Sequence, residues 1–428
     1  MKKKMAAGMM MLLCVASLSM TGCGQKQEEK QAENVFEPQL DTEASVVLHT
    51  SGFFGNFEAL DQVIADFNEY YPNVEFAYEQ NGIDNFSEYI AANPNIDLMM
   101  TSEEIFEKLG DQVNPMCADL EKEDINLSDI DEKMLSRGYH DGKLSTIPIG
   151  QNTSGLVVNV SLLEKEGLEV PNNYEEFTSV LKALKEKGYT PIQGPNSKVY
   201  SELTQNMLYD TILNDKSLCK DLLAGKESSA KKLLPVYDRL NDMIAQGFID
   251  PAVNEKYPDD NYDQAILNFF EGDVPFWVCN TEKVSGMKKR ESKSEAFQKN
   301  PFTYTYIYAP LGDKGVYAYE EPWFGFSVNK KAENYDYAVE FMRFLTTKDE
   351  MNTMANIKGI PSVAVENEDL DVYKNILNPE KVEMKGVNEG DITWKIVESW
   401  YSSVNNYVAG EYETDEEALE DFAEMCGQ

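Results

Sequence analysis

From residue 45 onward the chain changes its hydrophobic period every ten residues or so, and this alternation restricts the fold more than any single motif. "SVVLHT" (45–50) reads as a short buried strand, and "FEALDQVIADFNEYYP" places Phe57, Leu60, Val63, Ile64 and Phe67 at helical spacing before Pro72 stops the helix. "NVEFAYEQ" alternates Val74, Phe76 and Tyr78 against Glu75 and Glu79; a helix over 83–92 and a buried strand "IDLMM" (96–100) follow. Strand, helix, strand, helix, strand favours an open, mainly parallel sheet with helices on both faces, whose ligands sit in crevices beyond the carboxyl ends of the strands. A second α/β unit opens in "DGKLSTIPIGQNTSGLVVNVSLLEKEGLEVPNNYEEF", with a strand pair expected on either side of a polar interruption, Gln151, Asn152, Thr153 and Ser154. Asn173 and Glu176 form a capping box for a helix that buries Phe177, Val180, Leu181 and Leu184 and ends at Gly188.

The N-terminal segment carries a different message. Lys2, Lys3 and Lys4 precede an almost wholly apolar run, Met5 to Met20, the pattern of a signal peptide. The run ends in Thr21-Gly22-Cys23, which resembles a bacterial lipobox, although Met20 stands where leucine is usual. That resemblance implies cleavage before Cys23, with diacylglycerol on its thiol and a palmitate-bearing lipid anchor in the cell membrane. Residues 1–22 are then the signal and 23–45 a flexible tether, since Gly24 to about Ser45 is too polar to bury a core.

The remaining chain is long enough for two domains with real cores. A formal net charge of -37 excludes nucleic acid as a partner by repulsion and reads as a solvated surface. Cys117, Cys219, Cys279 and Cys426 are scattered without CxxC spacing and are expected as free thiols. With only His49 and His140 and no paired Cys/His spacing, neither a metal site nor a cofactor is expected. No GxSxG, GxxxxGK[ST] or GxGxxG occurs; a glycosidase needs only two carboxylates, and 75 acids leave that alternative open.

"KLSTIPIGQNTSGLVVNVSLLEKEGLEVPNNYEEF" resembles the hinge region of the family 1 extracellular solute-binding proteins, the maltose-binding-protein-like receptors of ABC importers. "FNEYYPNVEF", "FFEGDVPFWVCN" and "WFGFSVNKKAENYDYAVEFMRFLTTKDEMNTMANIKGIPSV" match further segments in the family's order. The resemblance implies a monomeric, two-lobed periplasmic-binding-protein-like clamshell, each lobe a mainly parallel sheet flanked by helices. Its N-terminal lobe would be 46–153 with 325–366, its C-terminal lobe 154–324 with 367–428. Hinge crossings would fall at 152–155, 323–325 and near Ser362. The implied function is capture of a carbohydrate and delivery to ABC transporter permease subunits, without catalysis. A polyamine or metal-ion receptor of the same fold is the alternative, followed by a secreted glycosidase or an adhesin. Adjacent tyrosines serve iron receptors, but Tyr70 and Tyr71 end an amphipathic helix and read as packing.

On this frame Phe53 and Phe54, which follow the first strand, are candidate stacking rings. Gln151 and Asn152 at the first crossing offer amides to hydroxyls. Trp323 lies just before a return crossing, beside Gly325. In "VPFWVCN" Phe276 and Val278 point one way and Trp277 and Cys279 the other; Asn280 or Glu282 would make polar contacts, where the family often carries a tryptophan, and Trp277 reads as core. Tyr200 occupies a loop that often reaches the site in the family. Trp394 and Trp400 point about 120° apart on a helix, so at most one faces ligand, and Trp400 is favoured.

Overall fold

The computed structural model describes residues 36–428 apart from 56, 197, 216, 258–260, 313–315, 319, 366–369, 375–383 and 387–391, so the signal segment and Cys23 lie outside the described residues. The opening elements follow the periodicity: β1 (Val46–Gly52), α1 (Glu58–Phe67), β2 (Val74–Gln80), α2 (Ile83–Ala92) and β3 (Leu98–Thr101). Ser102 then caps α3 (Glu103–Val113), its hydroxyl accepting from the Ile105 N–H.

The strand pair expected around 151–154 is one unbroken strand of 13 residues, β4 (Ile147–Asn159), buried along its whole length. Polar side chains did not interrupt it because its backbone is paired throughout. The later strand Glu320–Val328 covers its first part, and Phe276–Asn280 takes over from Ser154. With β5 (Ile192–Gln193), β6 (Phe276–Asn280), β7 (Tyr304–Ile307) and β8 (Glu320–Val328), the sheet order is β2-β1-β3-β8-β4-β6-β5, and β7 also pairs with β4. Strands β1 and β2, β1 and β3, and β5 and β6 are parallel, whereas β4 and β8, which run from one half of the molecule to the other, are antiparallel to their neighbours. The sheet is therefore mixed.

Two apolar cores divide along β4. Ile147 and Ile149 pack with Leu48, Leu98, Phe324 and Phe326 in the first; Leu156 and Val158 pack with Phe177, Phe276 and Trp400 in the second. The pleat of β6 does what alternation predicts: Phe276 and Val278 enter the second core, while Trp277 and Cys279 join a third cluster with Tyr306 and Tyr373. Helix α4 (Tyr174–Glu186) buries Phe177, Val180, Leu181 and Leu184. Asn173 Oδ1 accepts from the Glu176 N–H at 2.9 Å, a cap worth about 1 kcal/mol, and the Glu176 carboxylate reaches back to the N–H of Asn172 at 2.8 Å, one residue earlier than a capping box would place it. Gly188, at φ +90°, supplies the left-handed turn after it.

Helix α5 (Lys198–Asn214) carries no amphipathic stripe and is buried on all sides from Val199 to Tyr209. It packs against β6, β4 and a late helix, Trp394–Ala409. The end of the expected tether is a correction: Phe36 meets Tyr70 and Phe344 edge-on, with Arg343 over its ring, and Leu40 packs on the first core, so 36–45 is docked rather than flexible. Phe36 and Leu40 are the apolar residues of a polar stretch, and two sufficed. Cys117, Cys219, Cys279 and Cys426 are buried, and no disulfide links them to one another. Tyr71 is fully buried and donates to Glu340, which accounts for it as packing.

Candidate ligand-binding site

Between the two cores the polar residues of β4 meet a layer of others. Asn152 Nδ2 donates to Glu321 Oε1 at 3.2 Å, while its Oδ1 accepts from Thr281 Oγ1 at 3.1 Å and from the Glu282 N–H at 3.3 Å. Thr281 Oγ1 accepts in turn from the Thr153 N–H at 3.2 Å. Thr281 opens α6 (Thr281–Ser285), whose Lys283 ammonium lies 3.3 Å from Glu202 Oε1 and 3.4 Å from Asn280 Oδ1. Tyr401 donates to Gln205 Oε1 at 2.8 Å. From the first half come Glu103 and Arg137, joined by two contacts of 2.5 and 2.7 Å.

The electrostatics follow from burial. Glu321 is pushed up to about 8 by burial and by the Glu103 carboxylate, with Asn152 and Arg137 pulling the other way. Part of its surface remains accessible, as befits a group deep in a cleft. At neutral pH it is protonated, so it both donates and accepts. Burial lowers Lys283, but Glu202 and Glu282 outweigh it and hold the ammonium charged. Tyr401 is raised well above its ordinary value by burial and by Glu202 and Glu321. Several buried atoms of β4, α5 and the late helix Trp394–Ala409 have no partner among the described residues: Thr153 Oγ1, Ser201 Oγ, Glu202 Oε2, both amide atoms of Asn206, and Trp394 Nε1. Each such group costs roughly 1–3 kcal/mol, and the two that belong to residues of the layer itself, Thr153 Oγ1 beside Thr281 and Glu202 Oε2 beside Lys283, suit a solute that brings hydroxyls.

An aromatic cluster edges this layer on the side of the first core. Phe54 meets Phe53, Trp323 and Phe324 edge-on at 5.8, 5.3 and 5.5 Å. Trp323 lies within β8, at a register shift between Pro322 and Phe324; a bulge re-aims a side chain and leaves it outside the ladder. Helix α7 (Tyr335–Leu345) leads into α8 (Lys348–Lys358), whose last residue places its ammonium over the Phe54 ring at 4.2 Å. The late helix that packs on α5 is α9 (Trp394–Ala409).

Of the residues expected from sequence, Asn152, Asn280 and Glu282 meet in the polar layer, Gln151 is buried beside them on β4, and Phe53, Phe54 and Trp323 form the aromatic edge. Asn280 Oδ1 is engaged as the cap of α6, accepting from the Lys283 N–H. Two expectations are corrected. Trp400 is fully buried in the second core, meets Tyr237 and Phe422 edge-on, and donates its Nε1–H to Thr204 Oγ1 at 3.1 Å. Tyr200 is likewise packed into that core, because α5 is enclosed on every side. The other tryptophan of α9, Trp394, is half-buried at the boundary: α9 lies against α3, and Lys108 Nζ stands 4.0 Å from Glu398. Sequence reasoning missed Glu202, Gln205 and Asn206, whose only signal was polar residues on a helix with no apolar stripe, and Tyr401 on α9.

A two-lobed α/β frame with a polar layer between its cores and aromatic rings at the edge defines a binding protein. The chain belongs to the bacterial extracellular solute-binding protein family, which matches residues 62–378. No curated protein matches the chain. Solved structures share the periplasmic-binding-protein-like fold. RafE in complex with raffinose has a TM-score of 0.66 at 15% identity, covering 90% of this chain and 99% of its own. A sugar transporter from Bacillus licheniformis in complex with stachyose has a TM-score of 0.62 at 17% identity, covering 88% and 98%. The sugar-binding protein MalE from Xanthomonas citri has a TM-score of 0.66 at 16% identity, covering 88% and 95%.

Proposed function

We propose that the chain is the substrate-binding lipoprotein of an ABC importer, held outside the membrane by lipid on Cys23, and that it captures a carbohydrate between two lobes and hands it to a permease. The lobes are 46–153 with 325–366 and 154–324 with 367–428; the change of core along β4 between Ile149 and Leu156 supports that division. The observation that carries the reading is the polar layer, where paired acids and amides lie beside the unpartnered Thr153 Oγ1 and Glu202 Oε2, groups suited to hydroxyls. Phe53, Phe54, Gln151, Asn152, Asn280, Glu282 and Trp323 contact the solute, joined by Glu202, Gln205, Glu321, Trp394 and Tyr401. Ligands of the raffinose and stachyose complexes make galactose-bearing oligosaccharides the first to try.

Ligand bound to the native state raises the melting temperature by mass action. A thermal-shift series with raffinose, stachyose, maltose, chitin oligosaccharides, spermidine and ferric iron is expected to show a rise with a sugar. A rise with spermidine or iron alone would establish the cation-receptor alternative, and time-dependent release of cleaved sugar would establish an enzyme. In the same preparation, detergent partitioning of Cys23→Ala should move the protein out of the membrane fraction; retention equal to the native chain would exclude the lipid anchor.

A further inference from the structure

The ammonium of Lys358 lies 4.2 Å from the ring centre of Phe54, 4.8 Å from that of Trp323 and 5.5 Å from that of Phe57. All three fall within the roughly 6 Å over which a ring face attracts a cation, and rings grouped around one ammonium are how proteins recognise amine ligands. Here the chain supplies the cation itself. Phe54, Phe57 and Trp323 all pack on the first core, and Lys358 ends α8, whose Met351, Met354 and Ala355 belong to that core, so the cage is built on that core.

The glycine after Lys358 fixes where the ammonium can reach. Gly359, at φ +75°, ends α8 in a conformation that other residues rarely adopt, and a Cβ there would stand 3.1 Å from Ser285 Cα of α6. Helix α8 therefore stops where the two halves meet. Among the described residues Lys358 makes no hydrogen bond and no ion pair, and three rings lie within reach of its ammonium. Burial draws it below the ordinary lysine range, and Glu282 opposes that from α6.

We propose that Lys358 is a specificity-determining residue: a tethered cation that fills the aromatic cage beside the binding site and excludes amine ligands from it. A group on a short tether competes at an effective concentration in the millimolar range or above, so a free amine must displace it against that excess. The proposal deepens the sugar-binding reading by naming a residue that refuses polyamines, but the cage itself does not depend on that reading.

The test is titration of the purified native protein, Lys358→Ala, Lys358→Arg and the double variant Lys358→Ala/Trp323→Ala with tetramethylammonium and with spermidine, followed by calorimetry and thermal shift. Opening the cage should tighten amine binding at least about tenfold in Lys358→Ala, a change of about 1.4 kcal/mol. Lys358→Arg, which restores a cation, should gain nothing, and the double variant should lose the gain. Native protein that binds either amine as tightly as Lys358→Ala overturns the proposal, as does a folded Lys358→Ala that gains no amine affinity. Should Lys358→Ala fail to fold, Lys358→Ser carries the same expectation. Amine binding gained in Lys358→Ala while the native protein responds to no sugar supports the cage and removes the sugar reading. A sugar response in the native protein with no amine gain in the variant does the reverse.

Discussion

Trp400 and Trp323 each sit among aromatic rings, yet the two surroundings serve different ends. Around Trp400, Tyr237 at 5.5 Å and Phe422 at 5.3 Å close the ring in, Thr204 takes its only polar hydrogen, and no surface remains exposed. Around Trp323, Phe54 and Phe324 cover the ring edge-on, a lysine ammonium lies over it, and part of the ring stays open at a bulge between the cores. A satisfied, enclosed indole contributes to stability and cannot respond to a solute. A half-covered indole at a boundary contributes less to stability and remains available.

The largest effect that would break this contrast is on Trp400. Trp400→Ala should destabilise the protein by about 3–5 kcal/mol, the usual cost of emptying a core of a large aromatic, and leave Thr204 without its donor. Urea unfolding measures the loss, and the folded fraction should bind solute as the native protein does. Weakened binding with unchanged stability would return Trp400 to the site.

The two tryptophans also mark the limit of what sequence makes legible. Helices α1, α2 and α4 were legible because each turns one apolar face inward, and α4 also ends before Gly188, whose positive φ stops it. Phe53 and Phe54 were singled out because strand ends open on crevices, and Trp323 because it stands beside an expected crossing. Periodicity failed where it had nothing to distinguish. Helix α5 is enclosed on all sides, so no apolar stripe marked Glu202, Gln205 and Asn206 as buried, although each is. In α9 the 120° between Trp394 and Trp400 separates the two rings without saying which one faces the core. On β4 polarity suggested a break, but backbone pairing carried the strand through.

A smaller effect sharpens the other side of the contrast. Trp323→Ala should weaken solute affinity by about 1–3 kcal/mol, the scale of a single anchoring aromatic, while the unliganded protein melts nearly as before. Calorimetry with the sugar that gives the greatest thermal shift measures the first, and a melting curve without sugar the second. A badly destabilised variant whose folded fraction binds at native affinity would make Trp323 a packing residue like Trp400.

The smallest expected effect lies in the polar layer, and its sign follows from Glu321. Burial, Glu103 and Glu282 favour its neutral form, Asn152 and Arg137 favour its ionised form, and the balance leaves it at about 8 against an ordinary 4.5. Between those values the folded protein holds a proton that the unfolded chain has released, so its stability is fully present below about 4.5 and falls as pH rises toward about 8. Glu321 is only partly buried and so screened by solvent, and a net change of about 1 kcal/mol across the window is expected rather than the full shift. Glu321→Gln keeps the shape and the bond from Asn152 but cannot ionise, so it should flatten this part of the pH–stability curve. Because the same carboxyl can donate to a hydroxyl only while protonated, solute affinity in the native protein should weaken over that window and become level in the variant. Native and variant curves that run parallel from pH 5 to 9 would mean that Glu321 is ionised at neutrality, and that the polar layer presents it to the solute only as an acceptor.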